Sequence, residues 1–369
     1  MNFRIAIFFL LFRSSPGGRD RRQSKCREPI GPDVASRANS SSFIAVVFVD
    51  RGECLTPDGL NGRCSSLSEC PRSSGWRNLE FLRLSTCGFE GILPRLCCSH
   101  RMEFEVCGLE TKSRNETFGI RNSQLGAWPW LAAVYNTKYS RICGFYCGGA
   151  LVSNRHVITA AHCVTERLGK TANASSLTVR LGEHRLNDDS DGANPIEFRV
   201  REVKSHPDFM RRTFKNNIAI LVLEQTVTFD EFVRPICLPY GQLRNEVLAG
   251  RDAFVAGWVT TAFDIDSNPE LKELRNTIWN NEECRRVFHR DLPITVEYIC
   301  AGIRDCCKES CSINAGGPLA LPVRKSFSGS SRFYLVGVAS FGKRIGTSEY
   351  PVVYTRVTKY LDWISNNLP

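Results

Sequence analysis

The chain has 369 residues, 42% of them hydrophobic, which is enough apolar material for one large domain or for two to three ordinary ones and excludes a wholly disordered protein. Lys and Arg number 48 and Asp and Glu 38, so the net charge is +10. Because this excess is spread along the chain, we expect no nucleic-acid surface.

The N-terminal region has the features of a secretory signal. Arg4 precedes the apolar run from Ile5 to Phe12, which is too short to span a membrane, and residues 1–15 are therefore predicted to be a signal peptide. Residues 16–50 are rich in basic residues and serine and are predicted to be a disordered tail. The 17 cysteines indicate an oxidising compartment, because a reducing cytosol rarely keeps so many. The protein is expected to be secreted.

Residues 51–100 are predicted to be a small disulfide-rich domain. The segment holds few aliphatic residues, so crosslinks must replace a hydrophobic core. Zinc is the alternative, but adjacent cysteines do not easily serve one tetrahedral ion, and no metal or cofactor is expected. Residues 101–116 are predicted to be a linker. The cysteines of the domain are Cys54, Cys64, Cys70, Cys87, Cys97 and Cys98.

From Trp128 onward, short apolar segments alternate with turn residues. This rhythm predicts an all-β fold made of barrels or a sandwich. Val357, Tyr360, Leu361 and Ile364 recur at helical spacing and predict an amphipathic C-terminal helix. The segments are WLAAVY, YCGGALV, HVITAA, LTVRLG, IEFRVREV, IAILVL, AFVAGW, YLVGVASF and VVYTRV.

Several motifs carry a family resemblance. CGGALVSNRHVITAAHC, NNIAILVLE, RPICLP, FVAGW, YICAG, SCSINAGGPLAL, VGVASFG and YPVVYTRV, in this order, resemble the trypsin/chymotrypsin-like serine proteases. CLTPDGLNGRCSSLSECP, continued by LCC, is similar to the clip domain that precedes such a protease in arthropod haemolymph proteins. The resemblance implies a double β-barrel with a C-terminal helix over residues 117–369, preceded by a clip domain over 51–100.

In that family a serine nucleophile, a histidine base and a buried aspartate form the catalytic triad. His162 in TAAHC matches the base, but Asn217 stands at the carboxylate position and Ala315 at the nucleophile position. A methyl group cannot attack a carbonyl. In measured enzymes, losing the nucleophile costs about 10⁶ in turnover, and exchanging the carboxylate for an amide costs about 10⁴. A catalytically inactive homologue is therefore expected.

Further positions of the family pattern are altered. The glycine whose amide helps to bind the oxyanion is Ile313, and the aspartate that receives the new N-terminal ammonium after activation is Asn314. The activation start corresponds to residues 117–120 and follows Glu116 instead of a basic residue. The positions that correspond to the former specificity pocket are Glu309, Ser340, Gly342 and Val352, and Val352 replaces a glycine.

The resemblance also implies a disulfide framework, and the sequence contains glycosylation motifs. The implied pairs are Cys54–Cys97, Cys64–Cys87, Cys70–Cys98, Cys107–Cys237, Cys147–Cys163 and Cys284–Cys300. The pairing of Cys26, Cys143, Cys306, Cys307 and Cys311 stays open. Three sequons predict glycans at Asn39, Asn115 and Asn173.

Three functions are compatible with this sequence. The first is a secreted non-catalytic cofactor, scaffold or regulator in a haemolymph protease cascade of innate immunity, as in melanisation and prophenoloxidase activation. Its partners would be clip-domain proteases, proenzymes or other protease homologues. The second is an adhesion or pattern-recognition protein that binds microbial surfaces, and the third is an active serine endopeptidase. No nucleic-acid partner and no membrane span are expected.

Overall fold

The structure is a computed structural model. It describes residues 53–55, 61–66, 83, 85–91, 93–99, 107–109, 120–138, 145–166, 169–186, 188, 190–258, 270–303, 314–324, 331–342 and 350–368. The predicted signal peptide and tail, and most of the predicted linker, lie outside these residues. The described residues form two compact units, one before the predicted linker and one from Cys107 onward. Within them, no helix is long and apolar enough to cross a membrane.

The smaller unit is a four-stranded antiparallel sheet of β1 (Glu53–Leu55), β2 (Asn61–Ser65), β3 (Thr86–Glu90) and β4 (Leu93–Ser99), in the order β1-β2-β4-β3. Disulfides join Cys54 to Cys97 and Cys64 to Cys87. Leu96 and Cys97 are buried in this sheet. The predicted pair Cys70–Cys98 lies outside what the structure describes. Covalent bonds hold this sheet because it has few apolar side chains to bury.

The larger unit opens with the short strand β5 (Ile120–Asn122), followed by a closed six-stranded antiparallel barrel. Side chains alternate between buried and half-buried positions along β9 (Leu177–Leu181), so that Leu177, Val179 and Leu181 fill the barrel core. The barrel order is β10-β11-β8-β7-β6-β9, with β6 (Leu131–Asn136), β7 (Phe145–Leu151), β8 (His156–Thr159), β9 (Leu177–Leu181), β10 (Ile196–Ser205) and β11 (Ala219–Leu223).

A second six-stranded sheet follows and is closed by pairing between its first two strands. Strand β5 extends this sheet by pairing antiparallel with β13 (Leu271–Ile278). The strands are β12 (Asp252–Trp258), β13 (Leu271–Ile278), β14 (Tyr298–Gly302), β15 (Pro318–Arg324), β16 (Ser331–Phe341) and β17 (Val352–Arg356). The predicted all-β fold of two barrels is therefore confirmed. Strand β13 was not among the predicted segments because Glu273 and Asn276, both buried, break its apolar alternation.

Helices are few. The predicted C-terminal helix is confirmed as a 3₁₀ turn (Val357–Lys359) followed by helix α2 (Leu361–Asn367), whose apolar side chains join the core of the first barrel. Helix α1 (Asn281–Phe288) was not predicted. Its N-cap is Asn280, whose side chain accepts a hydrogen bond from the backbone N–H of Glu282 at 2.9 Å.

Residues Cys107 to Leu109 of the predicted linker are built into the larger unit. Cys107 is bonded to Cys237, and the backbone N–H of Gly108 donates to the carbonyl of Pro235 at 2.8 Å. A Cβ at Gly108, where φ is +63°, would lie 2.3 Å from the carbonyl oxygen of Phe333, so only glycine fits this contact. Two further disulfides of this unit are Cys147–Cys163 and Cys284–Cys300.

Candidate functional site

The first part of the site lies at one end of the first barrel. His162 sits in a 3₁₀ turn (Ala161–Cys163) directly after β8, and Asn217 comes two residues before β11. Strand pairing between β8 and β11 brings these positions together although they are 55 residues apart. Both residues are buried, His162 with 6% of its surface exposed and Asn217 with none.

The hydrogen bonds of Asn217 determine how its amide is oriented. Its Oδ1 lies 2.9 Å from the backbone nitrogen of His162, which can only donate, so this atom must be the acceptor. Its Nδ2 then lies 2.9 Å from Nδ1 of the imidazole and 2.6 Å from Oγ of Ser340. The amide donates to both, whereas the contact from Oδ1 to Nδ1 is longer, at 3.2 Å.

This orientation reverses the hydrogen bond that a carboxylate would make. An aspartate accepts from Nδ1–H and leaves Nε2 free to take a proton from a nucleophile. The Asn217 amide donates to Nδ1, so the proton of the neutral imidazole resides on Nε2. That atom lies 3.8 Å from Sγ of Cys163. In this tautomer Nε2 is a donor and cannot act as a general base.

The imidazole is also covered. The ring of Phe214 meets it edge-on, with centroids 5.6 Å apart, and contacts Phe341 at 5.4 Å. Phe214 has φ of +56°, a left-handed conformation that costs a non-glycine residue about 1–3 kcal/mol and persists only when neighbours enforce it. The carbonyl of the preceding residue, Thr213, accepts from the hydroxyl of Tyr298 at 2.9 Å.

Burial sets the protonation state of His162. Desolvation lowers its pKa from the ordinary 6.5 to about 4, and the positive charge of Arg211 adds to this. Among the described residues, no carboxylate contributes to this shift. The imidazole is therefore neutral at physiological pH.

Ala315 lies in the turn that leads into β15, and this turn is held from both barrels. Its carbonyl accepts from the backbone of Gly148 at 2.8 Å, and the next N–H, from Gly316, donates to Ala339 at 2.8 Å. Gly316 has φ of +80°, and a Cβ there would lie 2.3 Å from Oγ1 of Thr159. The turn is thus closely packed, and it presents a methyl group at the position where the family resemblance implies a hydroxyl nucleophile.

Asn314 makes a reciprocal pair of hydrogen bonds with the backbone N–H and C=O of one residue. Its Oδ1 accepts from the backbone N–H of Trp258 at 2.7 Å, and its Nδ2 donates to the carbonyl of the same residue at 2.9 Å. The amide matches the donor and the acceptor of one residue with no charge involved. Ile313, its neighbour in the predicted oxyanion turn, lies outside the described residues.

Besides Ser340, the structure describes two more of the predicted pocket positions. Val352 begins β17, is half-buried and packs against the core of the second barrel, and Gly342 is buried after β16. The fourth position, Glu309, lies outside the described residues.

Among the described residues, one group of side chains has the arrangement of a metal site: Cys147, His162 and Cys163. The two cysteines are joined as a disulfide, so neither offers a thiolate. This group does not fit a metal ion.

Of the predicted glycosylation positions, Asn173 is exposed and precedes the 3₁₀ turn Ala174–Ser176, with Oδ1 accepting from the backbone of Ser175 at 3.2 Å. Its Nδ2 is the atom that a glycan would modify. The other two sequons, at Asn39 and Asn115, lie outside the described part of the chain.

Sequence reasoning missed three residues of the site. Phe214 covers the imidazole, Trp258 holds Asn314, and Thr355 donates from Oγ1 to the backbone carbonyl of Asn217 at 2.8 Å. The first could have been suspected, because Phe214 is an aromatic residue three positions before Asn217. The other two act through backbone groups of Trp258 and Asn217, and contacts of backbone groups cannot be inferred from residue type.

Comparisons with known proteins agree with this architecture. Residues 117–364 match the family model described as Trypsin, and residues 54–98 match the regulatory CLIP domain of proteinases. The chain is 42% identical to the proclotting enzyme of Tachypleus tridentatus, over 87% of this chain and 92% of that protein. It is 31% identical to phenoloxidase-activating factor 1 of Holotrichia diomphalia, over 85% and 93%.

The crystal structure of the drosophila Grass clip serine protease of the Toll pathway shares the fold, with a TM-score of 0.58 and 24% identity, and covers 86% of this chain and 97% of that one. The chain belongs to the trypsin family and carries an N-terminal clip domain, as the clip-domain serine proteases of arthropods do.

Proposed function

We propose that this protein is a secreted, non-catalytic member of the clip-domain serine proteases that acts as a cofactor, scaffold or regulator in an extracellular protease cascade. In this proposal residues 51–100 form the clip domain, 101–116 the linker and 117–369 the protease-like domain. The partners are clip-domain proteases, proenzymes or other protease homologues of the haemolymph.

One observation carries the loss of catalysis: the Asn217 amide donates to Nδ1 of His162, which leaves Nε2 protonated. Two further features support it independently. Ala315 offers no oxygen nucleophile, and Phe214 buries the imidazole. Each feature blocks a different requirement of acyl transfer, so none of them alone could be reversed to recover full activity.

The intact architecture of the larger unit supports binding as the remaining role. Both barrels are closed, the C-terminal helix is packed and the disulfides of the larger unit are formed. The departures concentrate at the nucleophile turn and around the imidazole. A protease fold whose chemistry is removed keeps the loops that hold a peptide, and these loops can hold a protein partner. Relatives named as phenoloxidase-activating factors and as a melanization protease suggest the kind of cascade.

The first test measures reactivity directly. The purified protein should show no labelling by a fluorophosphonate probe and no turnover of a fluorogenic peptide panel. A clip-domain protease with an intact triad, handled in parallel, is the positive control. Stoichiometric labelling of this protein would overturn the proposal.

The second test measures function in haemolymph. Depleting the protein should change cascade output, and adding back either the wild type or a His162→Asn variant should restore it. Asparagine places an acceptor oxygen near the position of Nδ1, so the buried hydrogen bond survives while the imidazole is lost. If only the form with His162 restored output, and did so with matching peptidase activity, the binding role would have to be abandoned.

A further inference from the structure

We propose that Asn314 locks the turn Asn314–Gly317 in the same conformation before and after any cut in the linker, so that the protease-like unit needs no new N-terminus to complete it. In the related enzymes, the resemblance implies an aspartate here that waits for an ammonium released by cleavage. The inference concerns the conformation of the barrel unit and stands whether or not the protein serves as a cofactor.

The lock is made of two opposed hydrogen bonds between one side chain and one residue of the neighbouring strand. The N–H of Trp258 donates to Oδ1 at 2.7 Å, and Nδ2 donates to the carbonyl of Trp258 at 2.9 Å. A carboxylate could accept the first bond but would set a negative oxygen against the carbonyl in place of the second. Only an amide satisfies both groups without a cation.

The turn is fixed on its other side as well. Gly148 donates to the carbonyl of Ala315, and a Cβ on Gly148 would lie 3.1 Å from Cα of Gly317. Gly317 donates to the carbonyl of Asn314 at 3.0 Å and accepts from Ala339 at 2.9 Å. The turn therefore has backbone partners on β7 and β16 besides Trp258 on β12, all of them present in the uncleaved chain.

The segment just after the expected cleavage region is also held in the uncleaved chain. Arg121 pairs with Glu273 on β13, and its Nε donates to Oε1 of that buried carboxylate at 2.6 Å. The other oxygen accepts from Trp128 at 2.7 Å and from Ser123 at 3.2 Å. Cys107 and Gly108 are held by Cys237 and Pro235. A cut between these two anchors leaves both in place.

The N-terminal ammonium created by a cut in the linker would gain little binding free energy at Asn314. Burying a cation is costly unless an anion and further hydrogen bonds compensate it. Asn314 offers a neutral oxygen that already accepts a hydrogen bond, so no ion pair forms there. Cleavage thus supplies no binding energy with which to rearrange the turn.

The test compares the uncleaved chain with the chain cut by limited trypsin digestion at Lys112 or Arg114, the cut being located by N-terminal sequencing. Hydrogen–deuterium exchange of peptides covering β12 and residues 314–320 should agree between the two forms within about twofold. A K112Q/R114Q variant treated in the same way controls for the digestion. Exchange slowed tenfold or more after cleavage would overturn the proposal.

Two variants test the amide itself. Asn314→Asp should lower the melting temperature at pH 8 more than Asn314→Ala does, because both lose the donor but only the aspartate sets a negative charge against the carbonyl of Trp258. On acidification to about pH 5 the protonated carboxyl regains a donor, so the difference between the two variants should shrink or invert. An aspartate variant as stable as the wild type at pH 8 would refute the lock. The wild-type exchange comparison decides the matter if the variants fail to fold.

Discussion

Two asparagines stand at positions where the family resemblance implies aspartate, and their amides are bonded differently. Asn217, in the first barrel, uses side-chain partners: its amide donates to the imidazole of His162 and to the hydroxyl of Ser340. Asn314, in the second, uses the backbone of one residue: Trp258 supplies both the donor and the acceptor. The first exchange reverses a hydrogen bond that catalysis requires, whereas the second removes the need for an ion pair.

The difference arises because the partner of Asn217 can change its hydrogen-bonding role, whereas the partner of Asn314 cannot. An imidazole has two tautomers, so it accepts the amide by moving its proton from Nδ1 to Nε2. The N–H of Trp258 can only donate and its carbonyl can only accept, and an amide matches both without adjustment. Loss of the negative charge therefore alters the chemistry at Asn217 but rigidifies the turn at Asn314.

The largest effect is expected at Asn217 once a hydroxyl is supplied. Ala315→Ser alone should stay unlabelled by a fluorophosphonate probe, because Nε2 of His162 remains a donor. Adding Asn217→Asp should restore the other tautomer and raise the labelling rate by up to about 10⁴-fold.

Activity of this double variant should still fall short of an intact protease, since Phe214 covers the ring and Val352 stands at the pocket wall. Equal labelling rates for the single and the double variant, measured side by side, would show that the tautomer is not the obstacle.

The next effect concerns acid stability. The pKa of His162 is about 4 in the folded protein and 6.5 ordinarily, so between these values only the unfolded chain binds the proton. Stability should therefore fall as the pH drops from 6.5 to 4, with a contribution from this residue on the order of 3 kcal/mol.

Urea unfolding of wild type and His162→Asn across this pH range isolates the contribution of His162, because the asparagine does not titrate. His156, with a pKa also lowered to about 4 by burial, is present in both proteins and cancels in the comparison. Parallel stability curves for the two proteins would contradict the assignment.

A smaller effect is expected at Ser340. Replacing it with alanine leaves one N–H of the buried Asn217 amide without its acceptor, which should cost about 1–3 kcal/mol of unfolding free energy. Thr355→Val is the matched control: it removes a hydrogen bond to the Asn217 backbone but keeps the partners of the amide. Both variants should be followed by the nitrogen chemical shifts of His162. A shift change in the control as large as in Ser340→Ala would mean that the amide does not govern the tautomer.

The smallest change is expected from cutting the linker. Cleavage after Lys112 or Arg114 should leave the two pieces together on a non-reducing gel, since Cys107 is bonded to Cys237. Under reducing conditions they should separate. Release of the N-terminal piece without reductant would show that this disulfide does not form in the purified protein.

Much of the fold was predictable because its signals are local. Alternating apolar residues in segments such as LTVRL predicted the barrel strands, and the spacing from Val357 to Ile364 predicted the closing helix. Strand β13 was missed because one of its buried residues is charged: Glu273 accepts hydrogen bonds from Arg121 and Trp128 and breaks the apolar pattern. Helix α1 was missed although Asn280 caps it and Cys284 and Phe288 form its buried face.

The sequence by itself determined which atoms the site contains: no hydroxyl at Ala315, no carboxylate at Asn217, and an imidazole at His162. Residue type is sufficient for that statement, because chemistry that needs an absent atom cannot occur. Only the tertiary structure decided how the remaining atoms are used. The Asn217 amide takes its direction from the backbone N–H of a residue 55 positions away, and Asn314 finds its partner 56 positions away. Hydrogen bonds are directional and join groups that are close only in the folded chain, so their polarity cannot be inferred from residue types alone.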